Sequence, residues 1–224
     1  VSLQGLGVIV DYSRLVGSFF IALFILWAVL ITAGFLVLGP RVFKLMWDVR
    51  APGLIAFATA SSEAAYPRLL EQLERHGVAN RVVSFVLPLG YSFNLDGSMM
   101  YCTFAVMFIA QAMGIHLDIG QQIGMLLLLM VTSKGIAGVP RASLVVISAT
   151  LPAMGMKPEW IALVLAVDAF MDMGRTATNV IGNSIASAVI AKWEGLLSDP
   201  KQDPPMVESV LGSGESESAP ASKS

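Results

Sequence analysis

The chain has 224 residues, of which 55% are hydrophobic and 13% charged, and its formal net charge is −2. Soluble domains carry about a quarter charged residues, so this composition excludes an ordinary soluble domain and indicates an integral membrane protein. The charge gives no indication of nucleic-acid binding, and the single cysteine, Cys102, excludes an internal disulfide framework.

The first long apolar run occupies residues 15–40 and contains no charged residue. Residues 1–12 before it resemble the end of an earlier segment, so we expect the chain to be the C-terminal half of a longer protein. The run is long enough for a helix to cross a hydrocarbon core of about 30 Å. It is followed by Arg41, Lys44 and Arg50, which predicts that this end of the span is cytoplasmic.

Residues 51–78 are predicted to form a re-entrant helical hairpin. The short apolar stretch in this segment has basic residues on both sides, as expected for a hairpin that enters and leaves on the cytoplasmic side. Its small polar centre, TASSEAA, suits a tip packed inside protein, where backbone polar groups find partners. An amphipathic cytoplasmic helix is the alternative interpretation.

Residues 82–113 are predicted to form a span that is broken in the middle. The sequence NLDGS interrupts it, and Asn-x-Asp-Gly forms turns rather than helix interiors. An unwound stretch at membrane depth is tolerated only where it lines a cavity or packs in protein. Residues 121–152 repeat the hairpin pattern, with two apolar arms around a centre rich in Gly and Pro, and we expect this hairpin to enter from outside.

The last predicted span covers residues 159–192. The tail at 198–224 is acidic and rich in Ser and Pro, which predicts a disordered cytoplasmic segment. The order is therefore span, hairpin, broken span, hairpin and polar span. Two short, interrupted apolar segments in corresponding positions indicate an inverted-repeat transporter.

Five polar residues of the last span share one helical face, since at 100° per residue they fall within about 80° of one another. They are Asp168, Asp172, Arg175, Asn179 and Asn183. A charge at the bilayer centre costs at least about 2.5–3.5 kcal/mol, and such residues usually line a pathway. Asp172 and Arg175 can pair, but a packing pair alone leaves the other three unexplained. An arginine fork for a carboxylate and an aspartate for an ammonium suit a zwitterionic or dianionic ligand.

The chain also carries four longer motifs in order, TASSEAAYP at 59–67, NLDGS at 94–98, TSKGIAGVP at 132–140 and DMGRTATN at 172–179. Together they resemble the dicarboxylate/amino acid:cation symporters, and most of all the bacterial proton/glutamate–aspartate symporters. The resemblance covers residues from about 13 to 195. It implies an all-α membrane fold in which residues 13–197 form most of the transport domain, with the substrate site on the last span.

The resemblance also implies roles for single residues. Arg175 would bind the side-chain carboxylate of the substrate and Asp172 its amino group. Asn179, with Ser62 of the first hairpin, would bind the α-carboxylate. The further contact positions are Thr176 and Ser98, and the tip residues that would cover the site as an external gate are Gly138, Val139 and Pro140.

The coupling cation is expected to be H⁺ or Na⁺. In sodium-coupled members the positions of Asn94, Asp96 and Asn179 help to hold the ions, and Na⁺ prefers hard oxygen ligands. Asn183 stands where those members have an Asp, which weakens one sodium site and matches proton-coupled relatives. Animal relatives carry the proton on a glutamate at the position of Cys102, so another buried carboxylate would be needed here. The candidates for that proton carrier are Glu63 and Asp172. The positions expected to take part in cation or proton coupling are Asn94, Asp96, Asp168, Asn183 and Glu63.

Two further basic residues depart from the family pattern or raise a question of role. Arg141, just past the second hairpin tip, stands where a small residue is expected. It would either face an external vestibule and attract anions or be a solvated surface charge. Lys134 would contribute its backbone carbonyl rather than its ammonium.

For Glu63, a hydrogen-bonded acid at a helix start is the alternative to a proton carrier.

The sequence thus predicts a secondary active symporter, not an enzyme, that imports L-glutamate or L-aspartate with protons by alternating access. Sodium coupling and a C4-dicarboxylate cargo are the alternatives; Asp172 favours an amino acid, because it would repel a dianion without an amino group. An intramembrane aspartyl hydrolase would need acids on two facing helices; Asp168 and Asp172 lie on one helix, and Asp96 could supply the facing partner. An anion channel would need no cation gradient.

The expected setting is a multi-pass protein of the cell inner membrane, with the lipid bilayer as a partner. The full-length protein would be a homotrimer. No cofactor is expected beyond the co-transported H⁺ or Na⁺, and no nucleic acid.

Overall fold

The computed structural model of the chain describes residues 2–134 and 139–200, with side chains from residue 7 onward. Over these ranges the chain folds into α-helices joined by short turns, which confirms the all-α prediction. The helices are α1 (Ser2–Leu38), α2 (Arg41–Asp48), α3 (Arg50–Thr59), α4 (Ser62–Arg75), α5 (Asn80–Phe93), α6 (Asp96–Ala112), α7 (Ile119–Thr132), α8 (Ala142–Thr150) and α9 (Asp168–Trp193). Leu151–Met154 and Pro158–Leu163 form 3₁₀ helices.

Local sequence accounts for several helix ends. α1 stops before Gly39, which has φ 66°, and Pro40, two residues that commonly follow a helix. The Ser61 side chain accepts a hydrogen bond from the Ala64 N–H and caps α4. Asp118 and Gln121 form a reciprocal capping box at the start of α7. These caps satisfy N–H groups that the helices cannot satisfy themselves.

α9 is the central helix of the fold and packs against every helix from α1 to α6. Its first part joins an apolar cluster with α1, α6, α7 and α8, here called the α6–α8 cluster. Its second part joins another with α1 to α5, here called the α2–α5 cluster. Buried members of the first cluster are Phe19, Tyr101, Cys102, Ile109, Leu129, Ile147 and Met171, and of the second Val42, Leu45, Leu69, Leu73, Leu87 and Val180.

Two helical stretches in the part of the chain that the structure describes are long and apolar enough to cross a membrane. They are Gly7–Leu38 and Asn80–Ala112, and the second is interrupted between α5 and α6. α1 directs large apolar side chains outward, and Ile21, Phe24 and Leu36 are all exposed by more than half. Ile119–Thr132 and Ala142–Met154 are apolar but shorter.

Several predicted segments contain helices of the structure, although α1 begins well before the predicted span at 15–40. Residues 51–78 hold α3 and α4, which pack against each other around a turn at Ala60, and residues 121–152 hold α7 and α8, which also pack together. The tip of the second pair at 135–138, with Gly138, and the tail from residue 201 lie outside the described residues. The span predicted at 159–192 begins as a 3₁₀ helix, and α9 itself starts at Asp168.

Candidate functional site

The polar face predicted for the last span is buried inside the protein. Asp168, Asp172, Arg175, Asn179 and Asn183 are each no more than 2% exposed. The face therefore points at other helices and not at the outer surface, as a binding or coupling site requires. Asp172 and Arg175 form the predicted ion pair through Oδ1 and Nε, one helical turn apart.

The Arg175 guanidinium is shared among three elements. Besides its bond to Asp172, Nη1 donates to Ser98 Oγ on α6 at 3.1 Å, and Nη2 donates to the Val139 carbonyl before α8 at 3.3 Å. A guanidinium offers donors in a fixed plane, which suits it to bridge several oxygens at once. Arg175 thus lies where α9, the start of α6 and the second helix pair meet.

Asn179 closes the break between α5 and α6. Asn94 and Leu95 leave the helical conformation, with ψ of 71° and 54°, and α6 has no side-chain cap of its own. Asn179 Oδ1 instead accepts from the N–H groups of Gly97 at 2.9 Å and Ser98 at 3.3 Å. Its Nδ2 donates to Ser98 Oγ at 2.9 Å. A residue 82 positions away therefore supplies the N-terminal cap of α6.

Glycine allows the broken span to approach α9 closely. A Cβ added at Gly97 would collide with the backbone of Arg175. A Cβ added at Gly182 would lie 3.0 Å from Asp96 Oδ2 and 3.6 Å from Asn94 Nδ2. Asp96 and Asn94 therefore approach the second part of α9 at Gly182, where no side chain stands between the two segments.

The second part of α9 contacts the break through amides. Asn94 Nδ2 donates to Asn183 Oδ1 at 3.0 Å, and the Asn183 Nδ2 is buried without a hydrogen-bond acceptor among the described residues. The oxygens of Asn179 and Asn183 thus accept hydrogen bonds from the broken span. Within residues 2–134 and 139–200, no group of three or more His, Cys, Asp or Glu side chains is arranged to hold a metal ion.

The second helix pair reaches α9 through the residues that precede α8. The Arg141 N–H donates to Asp172 Oδ2 at 2.8 Å, and the Arg141 Nε lies 3.2 Å from Asp168 Oδ2. Pro140, between the two contacting residues, is exposed. The Arg141 side chain stays 63% exposed, and its guanidinium also forms an ion pair with a buried acid, which neither sequence interpretation included.

Asp168 is fully buried at the start of α9. Its Oδ1 accepts from the Tyr101 hydroxyl at 2.5 Å. Its Oδ2 has no partner with hydrogen-bond geometry in the described parts of the chain, so its contact with Arg141 is an ion pair without a well-aligned hydrogen bond. The Tyr101 contact was absent from the sequence predictions. The available signal was a tyrosine inside an apolar helix, since a buried hydroxyl usually has a partner.

Other candidate residues have different surroundings. Thr176 is buried, and its hydroxyl donates to the Asp172 carbonyl one turn earlier at 2.7 Å. Ser62 is buried at the start of α4, where its carbonyl accepts from the Tyr91 hydroxyl at 3.0 Å. Glu63 is exposed in the first turn of α4, where the helix dipole stabilises a negatively charged side chain. The Lys134 ammonium donates to the Phe93 carbonyl at the end of α5.

Comparison with known proteins agrees with this architecture. Residues 1–193 match the sodium:dicarboxylate symporter family. The chain belongs to this family. It is therefore a membrane protein of a transporter family and not an enzyme, and the resemblance drawn from the four motifs is confirmed.

Its relatives include transporters with different named cargoes. The chain is 43% identical to the proton/sodium-glutamate symport protein of Bacillus subtilis (strain 168), over 93% of this chain and 49% of the relative. It is 51% identical to the proton/glutamate-aspartate symporter of Escherichia coli (strain K12), over 70% and 36%. It is 44% identical to the C4-dicarboxylate transport protein of Stenotrophomonas maltophilia (strain R551-3), over 86% and 43%. The chain spans about half the length of these curated relatives or less.

Proposed function

We propose that the full-length protein is a secondary active symporter that imports L-glutamate or L-aspartate together with protons by alternating access. The observation that carries the proposal is the fully buried Arg175–Asp172 pair, with Ser98 and the Val139 carbonyl around the same guanidinium. A buried ion pair is seldom a gain in stability, because desolvation offsets the attraction. A charged pair kept inside a membrane helix is better explained by a charged cargo.

The chemistry of the pair fits an acidic amino acid. A cargo carboxylate can replace the Asp172 oxygen on Arg175, and a cargo ammonium can take the Asp172 carboxylate. Asn179 has a second amide hydrogen with which to bind the α-carboxylate, while its first holds Ser98. Ser98 on α6 and Thr176 on α9 lie in the same stretch of these two helices. In this proposal Ser62, and the tip with Gly138, Val139 and Pro140, close the site from the two helix pairs.

Protons are the proposed coupling ion. The proton carriers we propose are Asp168 and Asp172, which belong to the polar face, and Asp96, which approaches α9 at Gly182. Glu63 is exposed on α4 and is not among them. At the proposed sodium positions, the Asn179 and Asn183 oxygens accept hydrogen bonds from the broken span. Sodium held at Asn94, Asp96 and Asn179 is the second candidate, because one relative is named for both proton and sodium.

A C4-dicarboxylate is the second candidate cargo, because one relative is named for that substrate. Asp172 argues against it, since a dianion without an amino group would meet a carboxylate and bring no ammonium to neutralise it.

The membrane setting is part of the proposal as well. α3–α4 and α7–α8 would be re-entrant hairpins, within a multi-pass homotrimer of the cell inner membrane.

The test is uptake of labelled L-aspartate by the full-length protein in proteoliposomes, with a pH gradient and a sodium gradient imposed separately. We expect uptake with the pH gradient alone, competition by L-glutamate and weaker competition by succinate. Arg175→Ala should abolish uptake, because the carboxylate loses its bidentate partner. Uptake that needs sodium would overturn proton coupling, and normal uptake by Arg175→Ala would overturn the site.

Arg68→Ala is the matched control. Arg68 is an exposed arginine of α4 that pairs with Glu71 at 2.7 Å. Exposed pairs of this kind contribute about 0–1 kcal/mol, so this variant should transport normally. Equal loss of uptake in both variants would show a general effect of removing an arginine and would count against Arg175 as the site.

A further inference from the structure

We propose that Arg141 is a positioning residue that fastens the second helix pair, α7–α8, to α9 and thereby slows the release of cargo from the Arg175–Asp172 site. The inference rests on the proposed function for its effect on cargo. It concerns the Arg141 side chain, which the family resemblance leaves without a role.

Two residues, Val139 and Arg141, connect the second helix pair to the first two turns of α9 through three contacts. The Val139 carbonyl accepts from Arg175, and the Arg141 N–H donates to Asp172. The Arg141 guanidinium then pairs with Asp168, one turn before Asp172. Two of these contacts use backbone atoms, which any residue provides. The third depends on the side chain and is specific to arginine or a similar cation.

Asp168 gives the side-chain contact its importance. The carboxylate is fully buried, and the Tyr101 hydroxyl satisfies one of its two oxygens. The other oxygen faces Arg141, while the nearby Arg175 is already shared by Asp172, Ser98 and Val139. If the second helix pair moves away, a charged Asp168 loses its nearest cation. A buried charge without a partner is strongly unfavourable, so this separation opposes opening.

The backbone at Arg141 would suit a different residue. Its φ of 64° lies in the left-handed region, which glycine adopts without the steric cost that a side chain brings. Backbone conformation alone therefore favours Gly at this position. An arginine here is explained by what its guanidinium contacts. Because most of the side chain remains in contact with solvent, its pairing should weaken as the salt concentration rises.

The first experiment measures release. Full-length protein in proteoliposomes or nanodiscs is loaded with labelled L-aspartate and diluted, and the dissociation rate is compared with that of Arg141→Gly. A partly exposed ion pair predicts release about fivefold faster in the variant. Arg141→Lys should restore part of the difference. Unchanged or slower release in Arg141→Gly, as relief of the positive φ alone predicts, would overturn the proposal.

A double-mutant cycle assigns the partner. Asp168→Asn should accelerate release in the parent protein but add little in the Arg141→Gly background, because both changes break the same contact. Raising the salt from about 0.1 M to 1 M should speed release in the parent and not in Arg141→Gly. The matched control is Lys157→Gln, an exposed cation after α8 that should leave release unchanged. Additive effects of the two substitutions would overturn the pairing.

A second readout needs no cargo. Cys102 lies on α6, is fully buried and belongs to the α6–α8 cluster, to which α8 contributes Ile147. In a background where Cys102 is the single cysteine, we expect a small thiol reagent to modify it several-fold faster in Arg141→Gly than in Lys157→Gln. Equal modification rates would overturn the fastening. Because this rate requires no bound aspartate, failure of the proposed function and failure of this inference give different results.

Discussion

The two halves of the polar face of α9 are equally buried and are held in different ways. The first half, from Asp168 to Arg175, contacts its surroundings through charges, and its partners include the stretch before α8. The second half, with Asn179 and Asn183, contacts the break between α5 and α6 through neutral amides. Burial alone therefore does not identify a binding site. Charged partners can be exchanged for those of an ionic cargo, whereas the amide oxygens hold the broken span in place.

The energies expected for the two halves differ. Removing one member of a buried ion pair leaves an uncompensated charge and costs about 3–5 kcal/mol. Removing one neutral hydrogen bond in a buried site costs about 1–3 kcal/mol when a group is left unsatisfied. Substitutions in the first half should thus have larger effects on folding as well as on transport.

The largest effect is expected from Asp172→Asn. The Arg175 charge stays buried without its anion, so we expect a loss of about 3–5 kcal/mol in the free energy of unfolding. Thermal melting of the purified protein in detergent measures it. The double variant Asp172→Asn/Arg175→Gln removes both charges and should melt above the single variant. A double variant that melts at or below Asp172→Asn would show that charge does not dominate the first half.

A smaller effect is expected from Gly97→Ala at the break. The new Cβ would meet the Arg175 backbone and push the start of α6 away from the Asn179 cap. Overpacking of this kind costs about 1–3 kcal/mol. Gly124→Ala in α7 is the control, because nothing lies within 4 Å of a Cβ there, and it should stabilise the helix by about 0.5–1 kcal/mol. Melting temperatures that fall equally in both variants would contradict the close approach.

The smallest effect is expected from Asn183→Asp. The new carboxylate keeps an acceptor for Asn94 and brings a second charge to the part of α9 that Asp96 approaches at Gly182. We expect sodium to raise the free energy of unfolding of this variant only, by about 1 kcal/mol when sodium is fivefold above its dissociation constant. A higher melting temperature in sodium measures this change. Potassium at equal ionic strength is the control. A parent protein that sodium stabilises as strongly would remove the distinction we draw at Asn183.

The sequence predicted those features that follow from local spacing. Helical periodicity placed the five polar residues on one face, and a separation of three residues predicted the Asp172–Arg175 pair, both of which the structure confirms. The four motifs predicted the family. Composition also predicted that the last span starts at residue 159, but the chain forms a 3₁₀ helix there and α9 starts at Asp168. Hydropathy indicates an apolar environment and does not distinguish one type of helix from another.

Contacts between distant residues could not be predicted in this way. Asn179 was expected to contact a substrate, and its capping of α6 depends on how two helices pack. Tyr101 and Asp168 are 67 positions apart, and no periodicity relates them. The pairing of Arg141 with Asp168 requires the chain to turn back before α8. Such contacts become visible only when the helices have been assembled.

The cap that Asn179 provides to α6 also has a consequence for how these proteins diversify. Because one helix completes the terminus of another, neither the NLDGS turn nor the middle of α9 can accept changes independently. Chimaeras that take the turn from one homologue and the final helix from another should show epistasis, with each half functional only beside its own counterpart. Directed-evolution libraries aimed at a new cargo would therefore do best to vary both segments on the same gene.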